Sequence, residues 1–244
     1  MSFLLVYLFS LFVLCSQAAP VRSMIGADNT NFIDEEHKPY DSEVEYLEST
    51  GTQYIVVPVT FSEGTIRIEG RVLSTADTTA STPIRWYLGS GASSISNNGI
   101  YLGLRFAQAY YDYVGNWANT QGSSASSLYE EGFVIEYNTE NKEVYRKRRN
   151  GNTNIFFEQT ANTEQWNKDV TLNIEHITLF GGRSDGNETY PSRIWWMKIF
   201  IDNQVVRDLI CVQKDGIGML YDKVNGDVFG NIGIGEFIIG SDKE

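Results

Sequence analysis

The residues of this chain best suited to chemistry lie in one short stretch, Tyr110-Tyr111-Asp112-Tyr113-Val114-Gly115-Asn116-Trp117. Aromatic rings offer flat apolar faces, while Asp and Asn bring directional hydrogen-bonding groups. Together they suit recognition of a sugar: rings cover apolar C–H faces while a carboxylate and an amide fix hydroxyls. The strand period of two puts Tyr111 and Tyr113 on one face and Tyr110, Asp112 and Val114 on the other. The candidate ligand-binding residues are Tyr111, Asp112, Tyr113, Asn116 and Trp117. Core packing is the competing reading, because aromatics in strands ordinarily fill an interior.

Other chemistry is limited by supply. The two histidines are His37, in a polar acidic segment, and His176, between Ile174 and Ile177. Neither is placed to activate a serine or cysteine nucleophile. No Cys/His spacing fits zinc. Structural calcium stays open, since one Asp plus backbone carbonyls can suffice, and Asp112, Asp185 and Asp202 are its candidates; no other cofactor is expected. Arg146-Lys147-Arg148-Arg149 has three readings: a furin-type processing site, a polyanion contact, or a solvated strand end with Asn150-Gly151 closing a hairpin. Asn187-Glu188-Thr189 is the single glycosylation sequon.

Composition sets the compartment and the partners. Residues 1–14 are uncharged and apolar and run into Cys15-Ser16-Gln17-Ala18-Ala19-Pro20, which predicts a secretory signal cut after Ala18. The run is shorter than the roughly 20 apolar residues a membrane span needs. Removal of residues 1–18 leaves Cys211 as the sole cysteine, so no internal disulfide is available and packing alone must hold the fold. Cys211 follows Asp208-Leu209-Ile210 in a strand pattern, which predicts a buried, inert thiol. The net charge of −12 argues against nucleic acid and anionic membrane surfaces as partners. No other stretch is apolar enough to insert into a bilayer. A glycan or a glycosylated surface remains the expected partner of a secreted protein.

The elements that must position these residues read as strands. Residues 19–42 are polar and acidic and are expected to be a flexible leader. From Glu43, short β-branched or aromatic runs follow one another: Tyr54–Val59, Thr65–Val72, Arg85–Leu88, Ile100–Phe106, Ala109–Val114, Phe133–Tyr137, Glu143–Arg146, Asn154–Glu158, Val170–Ile174, Ile177–Phe180, Arg193–Ile201 and Gln204–Ile210. Ser90–Gly99 and Asn119–Ser127 read as loops, and Asp202-Asn203 as a two-residue turn. In the last thirty residues Ile217–Tyr221, Val228–Phe229 and Glu236–Ile239 alternate with glycines, and Asn225-Gly226 supplies a tight hairpin turn. No amphipathic helix is legible. This pattern predicts an all-β, antiparallel jelly-roll β-sandwich as a single domain over 43–240, with a tail at 241–244.

Particular segments add a family likeness. Glu45-Tyr-Leu-Glu-Ser-Thr-Gly-Thr-Gln-Tyr-Ile55 resembles the first strand of laminin G-like, concanavalin A-like jelly-roll domains of bacterial surface proteins and phage structural proteins. Ile194-Trp-Trp-Met-Lys-Ile-Phe200, Val206–Ile210, Gly218–Asn231 and Gly235–Gly240 resemble the closing strands of that domain. One departure is local: the family places a proline before the cysteine, where this chain has Ile210. The likeness implies two curved sheets that bind sugar or act as a spacer or adhesion module. Enzymatic members, the retaining glucanases, carry alternating carboxylates on one strand, about 5 Å apart. The nearest runs here, Glu43–Glu48 and Glu136–Glu140, lie at the domain entrance and at a turn, and read as solvated faces. The expectation is a secreted, non-enzymatic module that recognises carbohydrate. The alternatives are a structural or protein-interaction module without sugar binding and, more remotely, a degenerate glycoside hydrolase.

Overall fold

The computed structural model describes residues 38–75, 85–91, 99–105, 109–114, 117–122, 131–141, 143–149, 156–161 and 171–244. Among them, seventeen strands form two antiparallel sheets, and no helix occurs. Strands form where apolar and polar residues alternate. Every second residue of β3 (Ile55–Phe61) and β4 (Thr65–Ser74) is buried, so each strand offers one apolar face to the other sheet.

The smaller sheet runs β3, β12 (Ile174–Leu179), β5 (Arg85–Gly89), β6 (Ile100–Arg105), β7 (Ala109–Val114) and β8 (Trp117–Gly122). The larger runs β11 (Phe156–Ala161), β10 (Glu143–Arg149), β9 (Glu131–Asn138), β4, β13 (Pro191–Ile201), β14 (Gln204–Lys214), β15 (Ile217–Asp222) and β16 (Val228–Phe229). To it are attached β1 (Ser42–Glu43) beside β14, β2 (Leu47–Thr50) beside β13, and β17 (Ile238–Ile239) beside β2. Ile66, Ile68, Ile135, Met197 and Ile199 of the larger sheet share one apolar cluster with Ile55, Val57, Ile100, Leu102 and Ile177 of the smaller. Burying each such side chain contributes about 1.5–3 kcal/mol, which lets the fold stand on packing.

β13 is the spine. One edge pairs with β4; the other is divided, Pro191–Ile194 going to β2 and Trp196–Ile201 to β14. Cys211 fills the fork. Its thiol lies 3.3 Å from the carbonyl oxygens of both Ile194 and Trp195, is fully buried, and is pushed up to about 12 by that burial. The unpaired, buried cysteine expected from the sequence is what the structure contains.

The two sheets are also pinned by an ion pair. The Asp222 carboxylate, with no solvent exposure, accepts from the backbone N–H of Asp208 (2.9 Å) and Val224 (3.1 Å), from Asn225 Nδ2 (3.1 Å) and from Arg207 Nη1 (2.8 Å). Arg207 in turn donates through Nε (3.0 Å) and Nη2 (2.8 Å) to the carbonyl of Pro58 in β3. The side chain at the end of β15 thus ties the closing hairpin to both sheets.

Several expectations need correction. Asp202-Asn203 does form a left-handed pair (φ 48° and 65°), but Asn225-Gly226 does not: only Gly226 has positive φ, and the wider turn is organised by Asp222. Asn119–Gly122, read as loop, lies in β8, because β7 supplies the hydrogen bonds that Asn, Thr and Gln do not favour on their own. The runs expected at Val170–Ile174 and Ile177–Phe180 give one strand, β12, with an irregularity between Ile174 and His176; residues 171–173 and Phe180 flank it, and Val170 lies outside the described residues. The folded unit also extends past both expected ends. Tyr40 stacks on Tyr221 at 5.0 Å, Asp41 N donates to the Gln213 carbonyl, Val44 bridges Asp242, and Lys243 N donates to the Glu43 carbonyl. The expected signal, 1–18, lies outside the described residues.

Candidate functional site

The strand pair expected to carry the ligand closes one end of the smaller sheet. β8 is the last strand in its order, so the pair forms a rim of the sandwich. Directly paired residues of antiparallel strands share a face, and the backbone register therefore sorts the candidates. Ile100 and Leu102 belong to the core between the sheets; opposite them on β7 stand Val114 and Asp112, and opposite these on β8 stand Trp117 and Asn119. Tyr101 and Gly103 occupy the other row, with Tyr113 and Tyr111 across from them and Ala118 and Thr120 beyond. The register brings Tyr111 and Tyr113 together, as the period of two requires. It assigns Asp112 and Trp117 to the opposite, inter-sheet row, so the five candidates do not share one face. Asn116, and the exposure of Tyr111, Tyr113 and Trp117, lie outside the described residues.

Next to the outer row, Tyr101 is fully buried without belonging to the inter-sheet core. Its ring lies over Gly89 and Gly99, where an added Cβ would come within 2.5 Å and 3.0 Å of ring atoms. Gly182, in the loop after β12, closes on the same spot, and Ser184 N (2.9 Å) and His176 Nε2 (3.3 Å) both approach the Gly91 carbonyl. His176 is thus a half-buried packing residue on the outer face.

That loop also carries the sequon. Asn187 is exposed, and its Nδ2 donates to Asp185 Oδ2 at 2.9 Å, while Thr189 Oγ1 donates to the Gly51 carbonyl at 2.6 Å. Desolvation acts to raise the Asp185 carboxyl, but hydrogen bonds from Asn187 and the Arg183 guanidinium 2.6 Å away outweigh it and hold the group below its ordinary value. Asp202 Oδ1 accepts from Thr65 N at 2.9 Å. Two of the three calcium candidates therefore already serve the protein's own turns. The described residues contain no group of three His, Cys, Asp or Glu arranged to hold a metal.

The carboxylate runs are similarly engaged. Glu48 Oε2 accepts from Arg193 Nε (2.9 Å) and Nη2 (2.6 Å), Glu136 sits 3.9 Å from Arg67, and Glu140 is exposed in the turn after β9. The basic run does not occupy a loop. Arg146, Lys147, Arg148 and Arg149 form the second half of β10, paired on one side with β9 and on the other with β11. Asn150-Gly151 lies outside the described residues.

No protein-family model matches the sequence, and no curated protein does. Solved structures do match. A protein of Bacteroides ovatus whose description proposes carbohydrate binding superposes with a TM-score of 0.53 at 9% identity, over 83% of this chain and 61% of that one. The fold is that of the concanavalin A-like jelly rolls. The present chain spans about three-fifths of the length of that structure. Looser likenesses are to the mouse laminin alpha1 chain, domains LG4-5 (TM-score 0.46, 12% identity, 77% of this chain and 48% of that one), and to the heptameric SAP-like pentraxin of Limulus polyphemus (0.47, 5%, 82% and 96%). At these identities the likeness is one of fold.

Proposed function

We propose that the chain is a secreted, non-catalytic module that recognises carbohydrate through the rim built by β7 and β8. The observation that carries this reading is the placing of Tyr111 and Tyr113 in one outer row on the second-last strand of the smaller sheet, with Thr120 of the terminal strand β8 across from Tyr111. Two aromatic positions in one row, with a hydroxyl residue directly across from one of them, suit stacking on a sugar ring and hydrogen bonding to its hydroxyls. The carbohydrate binding named for the Bacteroides ovatus protein of the same fold supports the reading. The non-catalytic part is supported by the carboxylates of the entrance and closing strands: Glu48 and Asp222 are held in ion pairs and hydrogen bonds.

A glycan array probed with protein collected from the medium, its N-terminus sequenced, tests this. The expected result is a chain beginning at Ala19 that binds a defined glycan subset without releasing sugar. Tyr111→Ala and Tyr113→Ala should each weaken binding about tenfold to a hundredfold, the effect of removing a stacking ring. Absence of binding to every glycan would instead favour a structural or protein-interaction module, and released sugar would overturn the non-catalytic reading.

A further inference from the structure

The turn between β15 and β16 holds a pair of residues with covalent chemistry of its own. Asn225-Gly226 is one of three Asn-Gly pairs in the chain, with Asn98-Gly99 and Asn150-Gly151. It is the pair whose two members both lie among the described residues, and both are exposed. Glycine lacks the Cβ that otherwise shields the backbone nitrogen following an asparagine. Where a Gly226 Cβ would stand, the Tyr221 hydroxyl at 3.9 Å is the one atom within 4 Å. Backbone hydrogen bonds close the turn: Asp222 N donates to the Asp227 carbonyl (2.9 Å), Lys223 N to the Asp208 carbonyl (2.9 Å), and Gly226 N to the Asp222 carbonyl (2.8 Å). The Asn225 side chain is bound to the same residue. Its Nδ2 donates to Asp222 Oδ2 at 3.1 Å, the oxygen that Arg207 Nη1 reaches at 2.8 Å.

These bonds restrain the atoms that can react. An Asn-Gly pair converts when the glycine N–H gives its proton to a solvent base and the nitrogen attacks the asparagine Cγ. A new N–Cγ bond closes a cyclic imide, and the Cγ–Nδ2 bond breaks to release ammonia. Water then opens the imide at either carbonyl. One opening leaves aspartate; the other leaves isoaspartate, in which the main chain runs through the former side chain. In the folded turn both reactants are tied to Asp222, the nitrogen through its N–H and the carboxamide through Nδ2. They can rotate toward each other only when the turn opens, and such local opening is a rare excursion in a well-bonded segment.

We propose that Asn225 is a deamidation site gated by the fold: it converts when the turn opens, and the product keeps the turn from closing as before. Asp222 makes the outcome matter. It has no solvent exposure, ties β15 to β14 through Asp208 N, and is linked through Arg207 to Pro58 of β3. Aspartate at 225 removes a donor to Asp222 and sets a second carboxylate beside it, where like charges repel. Asp227 already stands 3.2 Å from Arg207, so three carboxylates would then crowd one guanidinium. Isoaspartate goes further. It adds one carbon to the main chain before Gly226 and carries that N–H away from the Asp222 carbonyl. Either product favours the open turn, so the modification loosens the link between the closing hairpin and both sheets, and no step within the chain reverses it.

The experiment incubates the full chain, folded and in parallel unfolded in guanidinium chloride, in water enriched in heavy oxygen. Peptide mass mapping then follows each Asn-Gly pair, and the incorporated oxygen marks conversions that occurred during the incubation. Asn225 should convert at least about tenfold more slowly in the folded chain, because each conversion must wait for local opening. The second arm is stability. Asn225→Asp, which is one of the two products, should lower the guanidinium unfolding midpoint more than Asn225→Ala, which removes the donor without adding charge. The rate comparison uses the unaltered chain and carries the test if Asn225→Asp does not fold. Equal conversion rates at Asn225 in the two states, or an Asn225→Asp midpoint equal to or above that of Asn225→Ala, would overturn the proposal.

Discussion

Replacing Arg207 with glutamine should be among the most damaging single substitutions in the folded unit. Asp222 has no solvent exposure and Arg207 retains 14% side-chain exposure. The substitution leaves a carboxylate that still accepts from two backbone N–H groups and Asn225 but has lost its only buried cation. It also removes both donors to the Pro58 carbonyl, and with them a link between the sheets. Asp227, 3.2 Å from Arg207 and more than half exposed, can turn to water and adds little. Breaking a buried pair by deleting one partner costs about 3–5 kcal/mol. For a domain of this size each kcal/mol lowers the melting temperature by about 2–4 °C, so the expected loss is roughly 6–20 °C. Thermal unfolding followed by tryptophan fluorescence reads this directly. The double variant Arg207→Met with Asp222→Leu should recover much of the loss, because no charge is then left buried alone. A fall of less than about 2 °C in Arg207→Gln, or a double variant worse than either single one, would refute the reasoning.

Alkali should unfold the domain through two hydroxyl- or thiol-bearing groups. Burial pushes Cys211 from 9.0 up to about 12, and burial followed by the Glu43 carboxylate pushes Tyr40 from 10.0 to about 12. Both groups stay protonated in the fold while the unfolded chain ionises, so their contribution is complete below pH 9 and is lost as pH climbs from 9 to 12. Cys211→Ala should flatten that decline at a cost of about 1–2 kcal/mol near neutrality, and native Cys211 should resist alkylation at pH 8. Two neighbouring glycines should behave oppositely: Gly233→Ala drives its Cβ onto the Thr52 carbonyl oxygen and should cost about 1–3 kcal/mol, whereas Gly230→Ala meets nothing within 4 Å and should stay within about 0.5 kcal/mol, as urea unfolding would show.

Much of the architecture was legible because strand signals are local. The alternation in Thr65–Val72 fixed which residues of β4 face the core, and the Asp202-Asn203 pair marked its own turn. What was not legible depends on distant partners. Asn119–Gly122 has loop-forming composition and becomes a strand only because β7 lies beside it. Tyr40 looked like leader until Tyr221, 181 residues on, received it. The salt bridge of Glu48 with Arg193 links residues 145 apart, so the entrance carboxylates could not be identified as structural from their spacing alone. The candidate site was half legible: the period of two separated Tyr111 and Tyr113 from Asp112. Sequence could not say which of the two rows faced the core, because that follows from cross-strand register.

The pairing of the two ends of the folded unit has a mechanical consequence. Ser42 Oγ donates to Asp242 Oδ1 at 2.7 Å and β1 lies along β14, so whatever joins the domain on either side does so at a single point beside β14 of the larger sheet. The β10–β11 and β7–β8 border lies at the far side, four to five strand spacings away, or roughly 20–24 Å at about 4.8 Å per strand. A neighbouring segment tethered at the ends would therefore hold the domain by its heel, with the proposed sugar-binding rim turned away from the tether. Its new termini could equally be cut elsewhere: joining 42 to 242 through a short linker and opening the chain at the exposed Glu140-Asn141 turn should give a circular permutant with the same two sheets.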